Sequence, residues 1–77
     1  MTVRISTDIA LSAARIAQNS ANEYASCGST EAALREYATA RALYAACETS
    51  GSIVAAQGKR QCDAGIARVR DALAGAV

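Results

Sequence analysis

Residues Ser29 to Cys47 read STEAALREYATARALYAAC, and the spacing of the apolar positions in this stretch decides the fold. Ala33, Tyr37, Ala40, Tyr44 and Cys47 recur at steps of four, three, four and three, which draws one continuous stripe along an α-helix. Leu34, Ala38 and Ala45 widen the stripe, so this helix needs partners on more than one side. Ser29 and Thr30 place hydroxyls at its start, where backbone N–H groups lack partners, and Glu31 suits the positive end of the helix dipole. Glu31 and Arg35 can pair one turn apart on its flank. Gly28 upstream and Glu48-Thr49-Ser50-Gly51 downstream are turn signals.

Working outward, a helix of the same kind is expected on each side. Ser6 or Thr7 caps the first, with Asp8 in its first turn, and the period carries it from about residue 7 to 26. Ile9, Ala13, Ile16, Ser20 and Tyr24 mark one face of it, Leu11, Ala14, Ala17, Ala21 and Ala25 lie beside or around that face, and Arg15, Gln18, Asn19 and Asn22 stand opposite. The central helix then spans about 29–48. Ser50 or Ser52 caps a third, from about 52 to 74, with a stripe of Ala55, Gly58, Cys62, Gly65, Val69 and Ala72. Gly58 and Gly65 cost roughly 1 kcal/mol each against alanine in a helix interior, and the expected compensation is close approach of a neighbouring helix backbone. A rival reading breaks the helix at Gly65. The run IARVRDAL from Ile66 to Leu73 keeps the period with no new cap, which favours one helix. Lys59 and Asp63 are spaced for a one-turn ion pair on its solvated face. Met1 to Ile5 alternates weakly and reads as a short extended arm, and Gly75 to Val77 should fray.

The connections are too short for anything but antiparallel neighbours, so the expected fold is all-α, a three-helix antiparallel bundle in one domain of 77 residues. Its core is thin. The hydrophobic fraction is 52%, but 20 of those residues are alanine, and there is no Phe or Trp. Alanine buries little area, at about 25 cal/mol per Å², yet allows helix axes to approach closely. A core this lean makes a homodimer or a completing partner an attractive expectation.

Composition argues against several functions. Eight basic and seven acidic residues leave a net charge of +1, too weak a field for nucleic acid or an anionic membrane surface. The opening MTVRISTD carries no signal peptide, and no span is long and apolar enough for a bilayer, so the expected location is cytoplasmic. With no histidine, metal sites and Ser-His-Asp chemistry lose their usual ligand or base. The acidic residues are dispersed, and Gly58-Lys59-Arg60 lacks the spacing of a phosphate loop. Cys27, Cys47 and Cys62 show no metal-site spacing. Cys27 and Cys47 fall about 27 Å apart along one helix, and Cys62 sits about 15 Å from the Cys47 end, beyond bridging distance. Reduced, buried thiols are the expectation for all three. No catalytic residue, metal or cofactor is expected, and the chain reads as no enzyme.

Ala21-x2-Tyr24, the turn at Gly28, Ala33-x3-Tyr37 and the following Ala40 together resemble the tetratricopeptide repeat, in which helix–turn–helix units carry small and aromatic residues at fixed offsets. The resemblance covers one hairpin, residues 15–45, with the third helix standing as the first helix of a next repeat or as a cap. Ala17 replaces the family's usual Trp, Ser20 its Leu, and the terminal Pro is missing. Gly58 and Gly65 repeat the Ala21 and Gly28 spacing 37 residues on, but Gln61 and Arg70 break the pattern there. In that family the first helix of each pair lines a concave peptide-holding surface. The resemblance therefore implies a partner-binding face at Arg15, Gln18 and Asn22, with amide and guanidinium groups for a peptide backbone or a carboxylate. The function expected is a small adaptor that holds a peptide or partner helix over the first and third helices. Two alternatives stand beside it. One is a stand-alone inhibitor, of the kind small phage-borne anti-defence proteins are, that blocks a large complex through charges such as Arg35, Glu36, Arg68 and Arg70. The other is a homo-oligomeric subunit assembled through the Ala/Gly stripe of the third helix.

Overall fold

Alanine, glycine and two tyrosines build the molecule. A computed structural model describes residues 7–75, and the expected arm over residues 1–5 lies outside them. Three α-helices follow in order: α1 (Thr7–Ser26), α2 (Thr30–Glu48) and α3 (Ile53–Gly75). The expected ends hold to within one residue, and α3 runs unbroken through Gly65. Gly28 at φ 78° and Gly51 at φ 89° make the two turns, a conformation that costs other residues strain. Ser52 Oγ accepts the Ala55 N–H at 3.1 Å and so caps α3. Ser29 stands at the N-cap of α2, but its hydroxyl makes no capping bond.

The described residues form an all-α three-helix bundle, 51 by 18 by 17 Å, with α2 in the middle. It packs along both α1 and α3, which touch each other only sparingly. The stripe of α2 is the one its spacing gave: Ala33, Tyr37, Ala40, Tyr44 and Cys47 are all buried. On α3 the buried set is Ala55, Gly58, Cys62, Gly65 and Val69; Ala72, read as part of that stripe, is exposed. On α1 the buried residues are Ala14, Ala17 and Ala21, while Ile9 and Ile16 are 63% and 68% exposed. Both isoleucines of this helix thus lie outside the core, while Leu11 packs partly buried against it; the flat alanine face is what lets α1 approach α2 closely.

The glycines of α3 answer to side chains rather than to a helix backbone. A Cβ on Gly65 would lie 2.5 Å from Cζ of Tyr37, and one on Gly58 would lie 2.5 Å from Cε1 of Tyr44. Each ring occupies the room a glycine leaves. Tyrosines seven apart on α2 meet glycines seven apart on antiparallel α3, so both contacts form in one register. The two rings also separate α3 from α1, which leaves an open groove between those helices.

Cross-helix ion pairs differ from the expected ones. Lys59 pairs with Glu48 at 3.3 Å and Arg41 with Asp63 at 2.5 Å, both between α2 and α3. The Lys59–Asp63 and Glu31–Arg35 pairs do not form among the described residues. Reaching a neighbouring helix ties two elements together, which a one-turn pair does not. These exposed pairs contribute at most about 1 kcal/mol each.

Candidate functional site

A buried tyrosine hydroxyl needs a partner, and here both find one on the far wall of the groove. Tyr37 Oη donates to Asn22 Oδ1 at 2.5 Å, and Tyr44 Oη donates to Gln18 Oε1 at 2.7 Å. Gln18 Nε2 in turn donates to Gln61 Oε1 at 2.9 Å, so an amide rung spans the groove from α1 to α3. Below that rung, towards the C-terminal half of α3, the groove opens into a cleft of about 380 Å³. Asn22, Ala25 and Ser26 of α1 wall one side, Arg68, Val69 and Ala72 of α3 the other, and the Tyr37 ring with Gly65 lies between. Thr30, at the start of α2, also lines it.

The chemistry of the cleft is one-sided. Its lining holds one cation, Arg68, and no carboxylate. Arg68 joins no ion pair with a described residue. Asn22 accepts from Tyr37 through its oxygen, which leaves its Nδ2 as a donor on the cleft wall opposite Arg68. An acceptor-bearing group flanked by small apolar surface suits this wall.

The residues read from sequence as partner-binding divide unevenly. Asn22 and Arg68 come together in the cleft. Gln18 is engaged at both ends of its amide, by Tyr44 and Gln61. Arg15 is exposed, near enough to Tyr44 that its charge favours the phenolate. Arg70 stands two residues, about 200° around the helix, from Arg68, and so faces away from the cleft. Tyr37, Tyr44, Gln61 and Gly65 shape the site and were read only as core or pattern residues. The missed signal was a register, seven on α2 against seven on α3, with amides one turn apart on α1.

Cys47 and Cys62 are buried and unbridged as expected, but Cys27 is exposed. Among the described residues no three His, Cys, Asp or Glu side chains gather as a metal site would require. Burial pushes the Tyr44 hydroxyl above its ordinary 10.0, with Cys62 adding to the rise and Arg15 opposing it. Burial likewise raises the Cys62 thiol above 9.0, aided by Asp63 and opposed by Arg41. In the folded state both groups hold their protons more tightly than in the unfolded chain. Stability is therefore full below the unfolded thiol value and falls as pH rises through about 9 and beyond. Urea midpoints should drop between about pH 8 and pH 10, and Cys62→Ala with Tyr44→Phe should flatten that slope.

No family model, curated protein or solved structure matches this chain, so the cleft is read from its own geometry.

Proposed function

We propose that this chain is a non-enzymatic, cytoplasmic protein-binding module: a small adaptor, arranged like a tetratricopeptide hairpin with one further helix, that holds a peptide or partner helix between α1 and α3. One observation carries the reading. The groove between those helices is open where Asn22 and Arg68, which joins no ion pair with a described residue, line the cleft on either side of Tyr37. A solvated polar face needs no such groove floored by aromatic and glycine surface. The absence of a helix long and apolar enough to cross a membrane, among the described residues, is compatible with that setting.

The test uses the two arginines of α3. Affinity capture from the source cell with the wild-type chain defines the partner, and quantitative binding with purified components follows. Arg68→Glu should weaken the complex by about tenfold or more, whereas Arg70→Glu, on the opposite side, should leave it within about twofold. Both variants should melt as the wild type does, since both side chains are exposed. Equal losses at the two positions would remove the cleft from the interface.

A further inference from the structure

Two rows of polar side chains border the groove, and their charge is of one sign. The bond between Gln18 and Gln61 fixes which rows these are. On α1, Arg15 stands one turn before Gln18 and Asn22 one turn after it; on α3, Gln57 stands one turn before Gln61 and Arg68 two turns after it. Asn22 and Arg68 line the cleft on one side of the rung. Arg15 lies on the other side, close enough to Tyr44, whose hydroxyl bonds Gln18, for its charge to act on that ring. Neither arginine joins an ion pair with a described residue. No carboxylate stands on either row. Glu48 and Asp63 pair with Lys59 and Arg41 on the far flank of α3, and Asp71, one turn from Arg68, makes no pair with it. Two cations thus stand at the ends, with neutral amides between.

This rests on the peptide-holding reading of the cleft: we propose that the groove takes an extended acidic segment of its partner, with one carboxylate on Arg15, a second on Arg68 and a backbone carbonyl over the rung. Charge complementarity names the occupant. The oxygen of Gln61 accepts from Gln18, which leaves Gln61 Nε2 as the donor for that carbonyl. Measured from the rung, the arginines lie three residues of α1 and seven of α3 apart along the axis, on the order of 15 Å at 1.5 Å per residue. An extended chain at about 3.3 Å per residue covers that length in four or five residues. A helix would need about ten. A nucleic-acid strand carries a charge about every 3.4 Å, so most of its phosphates would stand over neutral amides.

The test titrates the isotope-labelled chain with acetylated, amidated peptides of glycine and serine that carry two aspartates, set two, four, five or ten positions apart, and follows the side-chain amide signals by NMR. The four- and five-position peptides should bind at least about threefold tighter than the others, less so as salt rises, and should shift Gln18, Asn22 and Gln61. Arg15→Gln and Arg68→Gln should each weaken that binding about threefold to fivefold and erase the spacing preference, while Arg70→Gln stays within about twofold. All three side chains are exposed, so the fold should be kept. No spacing preference, equal binding of a peptide with asparagine for both aspartates, tightest binding at ten positions, or an oligothymidylate bound as tightly would each overturn the proposal. If Arg15→Gln is silent while Arg68→Glu still breaks the complex with the captured partner, the cleft stands and the acidic segment fails; equal losses at Arg68 and Arg70 remove both.

Discussion

Tyr37→Ala or Tyr44→Ala should leave a chain that no longer unfolds in one cooperative transition at room temperature. Both rings are 2% exposed, and they are the largest side chains in a core otherwise built from alanine, glycine, cysteine and one valine. Truncating a buried aromatic costs about 3–5 kcal/mol. At roughly 0.05–0.15 kcal/mol per residue, a chain this long holds only about 4–12 kcal/mol in total. Each truncation therefore removes a large share of the margin. It also opens a void facing a glycine, where no Cβ can relax inwards to fill it. Tyr37→Phe and Tyr44→Phe keep the ring and lose only the bond to Asn22 or Gln18, at about 1 kcal/mol. Urea titration followed by circular dichroism separates the two classes. Alanine variants as stable as the phenylalanine variants would show that the rings do not hold α1, α2 and α3 together.

The second large effect reverses a rule of helix design. Gly→Ala inside a helix normally gains about 1 kcal/mol. At Gly58 and Gly65 the added methyl would overlap a tyrosine ring, and overpacking of this kind costs about 1–3 kcal/mol. The ring cannot withdraw, because its hydroxyl is tied to α1. Both alanine variants should therefore be net destabilised, and Gly65→Leu should lose more than either. Gly75 is the internal control: nothing lies within 4 Å of a Cβ placed there, so Gly75→Ala should be neutral or slightly stabilising. Equal gains at all three positions would mean that the rings do not sit on the glycines.

These two results depend on one another, and they show where the sequence stopped being legible. Helix number, helix ends and the buried face of α2 follow from local spacing and from glycine at the turns, so they could be read from the chain alone. The same is true of the unbroken α3, since a helix persists where the period continues and no new cap intervenes. On α1 the spacing marks Ile9, Ala13, Ile16, Ser20 and Tyr24 as one face with Ala14, Ala17 and Ala21 beside it, and it is the alanine side that is buried. Hydrophobicity ranks isoleucine above alanine, but close packing ranks flatness above bulk, and the neighbour decides which applies.

The cleft followed the same division. Asn22 and Arg68 were both singled out, but on separate grounds and for different functions. Nothing local says that a residue on α1 and one on α3 line the same cleft, because they are 46 positions apart in the chain. Their meeting is set by the antiparallel register that seats Tyr37 on Gly65 and turns its hydroxyl towards Asn22. The sequence by itself determined three helices and their caps, since hydrogen bonding and periodicity act over a few residues. Only the tertiary structure decided which apolar face is covered and which cation lines the cleft, because those depend on contacts between segments that local spacing cannot register.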